Sequence, residues 1–199
     1  MRVTVMKAFL RLGLYFLLAP FLRAAEATYE NPVLSGDYPD PSVIRVGKDY
    51  WATATSSEWG PQFPILHSTD LVNWEITGSV FAHRPGWSSA NFWAPEIAVY
   101  KGRYYVYYVA RKKGAALAVA VATADNPSGP YTDHGPLVSQ PAGSIDPVPF
   151  NDENGRRYLI WKEDGNSRKI PTILWAQELD ENGTKLIGQP REILRNDVP

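Results

Sequence analysis

The sequence predicts an all-β protein assembled from repeated propeller-type blades. Three observations carry this. Past Thr28 there is almost no helical periodicity. Short alternating runs of β-branched and aromatic residues recur between Gly, Pro, Asn and Asp punctuation. One order of parts returns three times, about every 50 residues.

The first 27 residues stand apart from that pattern. Arg2, Lys7 and Arg11 precede the apolar run Leu12 to Leu22, and Ala25-Glu26-Ala27 supplies an A-x-A cleavage pattern. Residues 1–27 therefore read as a secretory signal peptide, which predicts a secreted or periplasmic product. The apolar run falls well short of the ~20 residues that cross a bilayer as a helix, so no membrane anchor is expected after cleavage. The remaining domain, 28–199, is expected to be a partial propeller of blades 1–3.

Within it the strands are legible in order. Ser42 to Val46 and Tyr50 to Thr55 flank the turn Gly47-Lys48-Asp49. Tyr104 to Ala110 follows Lys101-Gly102-Arg103, and Ala116 to Ala122 comes next. Tyr158 to Trp161 follows Asn151 to Gly155, and Thr172 to Glu178 precedes Asp180 to Gly183. Each repeat opens with Pro beside an acid, as Asp40-Pro41, Pro95-Glu96 and Asp146-Pro147. An aromatic strand follows each time: Tyr50-Trp51, Tyr104-Tyr105 and Tyr158. A repeat of about 50 residues holding four strands is a blade whose sheet buries its faces against neighbouring blades, and a ring takes about four to eight of them. Three cannot close, so the chain is expected to be part of a larger ring or to assemble with another copy.

Composition removes several classes of function. A net charge of −1 with no Lys/Arg run leaves no footprint for nucleic acid or an acidic membrane surface. The absence of Cys excludes disulfides and thiolate metal sites. His67, His83 and His134 are scattered without metal-ligand spacing, so neither metal nor cofactor is expected. Seven Trp and eleven Tyr offer flat rings of the kind that stack on sugar C–H faces, although all-β proteins are aromatic-rich in any case.

Three motifs point further. The stretch from Asn31-Pro32-Val33-Leu34 through Gly36-Asp37-Tyr38-Pro39-Asp40-Pro41-Ser42 resembles the opening of glycoside hydrolase family 43, the arabinofuranosidases, endo-arabinanases and β-xylosidases. Phe92-Trp93-Ala94-Pro95-Glu96 is similar to that family's second-blade motif, and Ser144-Ile145-Asp146-Pro147 to its third. The resemblance covers nearly all of the chain after residue 27 and implies a five-bladed β-propeller. It also implies that Asp40 is a general base, and that Asp146 tunes the pKa of a general acid and orients it. An oligo- or polysaccharide containing arabinose or xylose is the implied substrate.

The chemistry suits these residue types. Inverting hydrolysis needs one carboxylate to activate water and a protonated carboxyl across the glycosidic bond, ~6.5–9.5 Å away. A third carboxylate near the acid keeps it protonated by like-charge repulsion. The plainer alternative for both Asp40 and Asp146 is a turn residue before Pro, bonding the local backbone. Trp59 and Trp93 are candidate walls of a sugar pocket, with blade-to-blade packing as the competing role.

The resemblance implies a catalytic Glu in a Glu-Gly-Pro setting in a later blade, and no Glu-Gly-Pro occurs here. Glu96 and Glu163 are poor substitutes by position. The expectation is a hydrolase fragment lacking its general acid and therefore inactive alone; a non-catalytic carbohydrate-binding propeller is the alternative. Asn151-Asp152-Glu153-Asn154-Gly155 superficially looks like the nucleophile motif of the fructan-cleaving family 32, but its Asn-Gly between two strands reads as a hairpin turn.

Overall fold

The computed structural model describes residues 28–196; the signal-peptide reading over 1–27 lies outside them, as do residues 197–199. Twelve strands form three antiparallel four-stranded sheets, each in chain order. The first holds β1 (Ser42–Val46), β2 (Asp49–Thr53), β3 (Gln62–Ser68) and β4 (Glu75–Phe81). The second holds β5 (Ser88–Tyr100), β6 (Arg103–Lys112), β7 (Leu117–Ala124) and β8 (Thr132–Val138). The third holds β9 (Ser144–Asn151), β10 (Arg157–Glu163), β11 (Thr172–Leu179) and β12 (Leu186–Asn196). A 3₁₀ turn, Asn166–Arg168, interrupts the β10–β11 connection.

The middle sheet explains why the apolar pattern is densest there. Successive side chains of a strand point to opposite faces, and in β6 and β7 both faces are covered. Val106, Tyr108, Ala110, Ala120 and Ala122 pack with Phe63, Ile65, Val80 and Phe81 of the first sheet. The alternate residues Tyr105, Tyr107, Val109, Val119 and Val121 pack with Ile145, Leu159, Trp161 and Leu179 of the third. Every residue of β7 is buried as a result. The outward faces of the two flanking sheets keep exposed apolar side chains: Val43 and Ile76 on the first, Phe150, Ile187 and Ile193 on the third.

Polar bonds tie the sheets together as well. Ser57 and Phe92 form an isolated antiparallel bridge between the first and second, and the Asn91 N–H donates to Glu58 Oε1 at 2.7 Å. Between the second and third, the Tyr107 hydroxyl donates to the Gly183 carbonyl at 2.8 Å. The Arg157 guanidinium lies over the rings of Tyr100 and Tyr105 at 4.1 and 4.6 Å. Gly183 sits at φ +68°, and a Cβ there would come within 2.5 Å of Arg157 Nη1. Any larger residue there would strain the backbone and have to push the guanidinium aside.

Two local features depart from the sequence expectation. The strand expected over Tyr50 to Thr55 ends at Thr53, because the Thr55 N–H leaves the ladder to donate to the Pro39 carbonyl at 2.9 Å. The second blade's inner strand starts at Ser88, ahead of its motif, and its pairing with β6 shifts register three times up to Glu96. Such bulges re-aim side chains and recur beside active sites. The Asn151 to Gly155 stretch is a turn: Asp152 Oδ1 accepts from the N–H groups of Asn154 and Arg156 at 2.9 and 2.8 Å.

Candidate active site

The innermost strands β1, β5 and β9 lie side by side, with β5 in the middle. Near the start of β1, within β5 and near the start of β9, the residue before proline takes a left-handed conformation: Asp40 at φ +50°, Ala94 at +40° and Asp146 at +54°. Positive φ is uncommon for any non-glycine residue, and strained backbone of this kind gathers at functional sites. Its recurrence in all three blades identifies the structural repeat as Asp40-Pro41-Ser42, Ala94-Pro95-Glu96 and Asp146-Pro147-Val148. The sequence pairing of a Pro with any neighbouring acid therefore needs correction at the second blade. Ala94 is the counterpart of the two aspartates, whereas Glu96 occupies the position of Ser42.

These nine residues, apart from Ser42, line one cleft of about 280 Å³. Asp40 and Asp146, far apart in sequence, thus share a cavity, and Glu96 joins them. Asp40 Oδ2 accepts a hydrogen bond from the Thr55 hydroxyl at 2.7 Å. Asp146 is exposed along the open cleft, yet the protein around its carboxyl disfavours charge. Burial holds its pKa above the ordinary aspartate value, Lys162 pulls it down, and the charges of Asp40 and Asp164 push it up. Burial likewise raises Glu96, opposed by a hydrogen bond from Ser42. Ser42 Oγ also accepts the N–H of Ile97 at 3.2 Å, keying the first blade to the second.

The remaining sequence candidates lie elsewhere. Trp59 is 77% exposed, so it does not pack between blades. It stands in a second groove of about 350 Å³ with Tyr38, Thr55, Pro61 and Ile76, and Thr55 links this groove to Asp40. Trp93 is half-buried and packs against the apolar cluster between the second and third sheets. Glu163 lies outside the cleft lining, accepting from Trp175 Nε1 at 3.1 Å and from Gln140 Nε2 at 3.4 Å. A further concavity of about 350 Å³, walled by Tyr158, Gln177, Ile187 and Arg191, is part of the third sheet's outward face, remote from the cleft. Among the described residues no group of three or more His, Asp or Glu side chains is arranged to hold a metal ion.

Sequence reasoning missed Thr55, Ala94, Ser42 and Lys162. Ser42 stood inside a recognised motif and could have been flagged. Ala94 also stood inside a quoted motif, where the neighbouring acid drew the attention; Thr55 and Lys162 carry no local signal, because their roles depend on contacts with distant strands.

Blade-like sheets whose inner strands converge on a cleft lined by carboxylates define a class, the β-propellers with an acidic central cleft. The family model "Glycosyl hydrolases family 43" matches residues 29–198. The chain is 30% identical over 180 residues to a xylan 1,3-β-xylosidase of Vibrio sp, covering 83% of this chain and 33% of the relative. It is 33% identical over 176 residues to xylosidase/arabinosidase 43B of Humicola insolens, covering 82% and 32%. A solved family-43 protein from Bacillus licheniformis superposes with a TM-score of 0.69 at 30% identity, covering 83% of this chain and 33% of that one. This chain belongs to glycosyl hydrolases family 43, and its three sheets are three blades of the five-bladed propeller. It spans about a third of the length of these curated relatives.

Proposed function

We propose that this chain carries the base side of an inverting glycoside hydrolase active site, acting on arabinose- or xylose-containing plant polysaccharide. Asp40 takes a proton from the attacking water, and Asp146 raises the pKa of the general acid and orients it. The observation that carries this reading is the convergence of Asp40 and Asp146, both left-handed and both before proline, on one cleft. The left-handed conformation recurs at Ala94, which carries no acid, so it marks the repeat; what favours a catalytic role is that the two blades with aspartate there turn both carboxylates to one cavity. The electrostatics agree: the charge of Asp40 reaches Asp146, and a carboxyl brought into this cleft would meet like charge and stay protonated.

The acid itself comes from outside these blades in this reading. Of the two glutamates considered, Glu163 is engaged by Trp175 and Gln140. Glu96 lines the cleft but stands at the repeat position that Ser42 holds in the first blade, two residues past the left-handed position of the two aspartates. The 199-residue chain alone then gives no useful hydrolysis, and robust turnover of aryl xylosides or arabinofuranosides by it would overturn this part. Trp59, exposed beside Asp40's partner Thr55, serves as a stacking platform for the sugar chain; Trp93 supports the cleft from the blade interface. Residues 1–27 direct the protein out of the cytoplasm.

The direct mechanistic test is NMR of the first product anomer released by the protein translated from the complete reading frame. Inversion gives the anomer opposite to the substrate's. Retention would refute Asp40 as a base acting on water. Tight oligosaccharide binding without turnover by that same protein would favour a non-catalytic binding propeller, for which Trp59 supplies the exposed aromatic surface.

A further inference from the structure

Thr55 stands just past the end of β2, is only 5% exposed, and is held at three points. Its N–H donates to the Pro39 carbonyl at 2.9 Å, which fixes its backbone against the residue before Asp40. Its hydroxyl oxygen accepts the N–H of Ala94 at 2.7 Å, and its hydroxyl proton goes to Asp40 Oδ2 at 2.7 Å. A hydroxyl has one proton to give. With the Ala94 amide on the acceptor side, that proton is committed to the carboxylate. The O–H to O distance falls at the edge of the range of charge-assisted bonds. A β-branched side chain has few χ1 choices to wander through, and burial removes more.

We propose that Thr55 is the positioning residue for the catalytic base, relaying the backbone of the second blade to the Asp40 carboxylate of the first. Ala94 is the structural counterpart of Asp40 and Asp146, and its own side chain carries no acid. Its backbone N–H orients the hydroxyl that orients Asp40. The base is thereby aimed by the blade interface and not by its own strand alone. The inference rests on Asp40 being the base, and its test separates the two ideas.

The first experiment uses the 199-residue chain and follows the Ala94 amide by ¹H–¹⁵N NMR through an acid titration. Glu96 from β5 and Asp146 from β9 also face this cleft, with Lys162 and Asp164 acting on Asp146, so Asp40→Asn serves as the control that removes the Asp40 carboxylate while Glu96 and Asp146 still titrate, Asp146 at a lowered midpoint. The Ala94 amide shift is expected to follow Asp40 in the parent chain and in Thr55→Ser, and to lose that dependence in Thr55→Val and in Asp40→Asn. The second experiment measures hydrolysis by the complete protein. Thr55→Val is expected to lower kcat at least tenfold with KM within twofold, and Thr55→Ser to recover most of the loss. An Ala94 amide that ignores Asp40 in the parent chain, or a folded Thr55→Val enzyme with parental kcat, overturns the relay. Full turnover by Asp40→Asn in the complete protein would instead overturn Asp40 as base, while the amide titration still judges the relay geometry.

Discussion

Phe63 offers a test of both the packing and the backbone conformation that position the site. Its side chain is fully buried, with ring centroids 6.2 Å from Phe81, 5.8 Å from Phe92 and 5.2 Å from Tyr108. One residue therefore pins the first blade to the second. Its backbone sits at φ +56°, and its N–H donates to Ser56 Oγ at 3.1 Å. That bond anchors the loop carrying Thr55 and Trp59. Phe63→Ala removes the buried ring and leaves a cavity, a loss of about 3–5 kcal/mol, out of a domain stability of about 5–15 kcal/mol. The left-handed φ sets a second, sharper expectation. In an ordinary strand glycine is about 0.5–1 kcal/mol worse than alanine, but a Cβ in the left-handed region costs about 1–2 kcal/mol. Phe63→Gly is therefore at least as stable as Phe63→Ala, by up to about 1.5 kcal/mol once these opposing terms are combined. Urea unfolding followed by Trp fluorescence reads both. With a slope of about 2 kcal/mol per M, the Ala midpoint falls by about 1.5–2.5 M and the Gly midpoint lies at or above it. An Ala loss under about 1 kcal/mol would refute the packing argument. A glycine variant clearly less stable than the alanine variant would refute the strain argument.

Three further outcomes follow from the cleft and a fourth from the groove beside it. Burial raises the folded-state pKa of Asp146, so the folded chain holds that proton more tightly than the unfolded one, and stability falls as pH rises from the ordinary aspartate value through the raised one. Asp146→Asn accordingly stabilises the chain at pH 7 in urea melts, and the difference disappears below the ordinary aspartate pKa. In ¹³C titrations, Asp40→Asn lowers the midpoint of Asp146 and Lys162→Met raises it, because those charges act on it in opposite senses. Ser42→Ala pushes Glu96 further up, since the Ser42 bond is what opposes its burial; an unmoved Glu96 midpoint would contradict the contact. Trp59→Ala leaves the urea midpoint nearly unchanged, within about ±0.5 kcal/mol as for other exposed positions, while weakening oligosaccharide binding severalfold by calorimetry.

The sequence showed the blades more fully than it showed the cleft, for physical reasons. Strand existence follows from local alternation, so Ser42–Val46 and Thr172–Leu179 were readable almost to the residue. The full burial of Leu117–Ala124 follows from having a sheet on either side, which the repeat pattern anticipated. Asp40 and Asp146, which line the cleft, could be picked out because each stands in a compact motif. Thr55 was not: it meets Asp40 and Ala94, 15 and 39 residues away, through contacts set by how two blades dock. Glu96 was seen but put in the wrong register, because an acid beside proline looks the same in sequence whether it precedes or follows the ring. Only the recurrence of positive φ at Asp40, Ala94 and Asp146 separates the two cases. Lys162 acts on Asp146 across the β9–β10 pair, and a lysine in a strand carries no mark of that role.

The central claim is that Asp40 supplies the base to hydrolysis in this cleft. The measurement that tests it most directly is kcat/KM of the complete protein and its Asp40→Asn variant on aryl xylosides and arabinofuranosides, with folding of both checked by their melting curves. The account predicts a loss of at least about 10²-fold in the folded variant, the lower end of what a positioned general base contributes. A folded Asp40→Asn enzyme within a few-fold of its parent would contradict it.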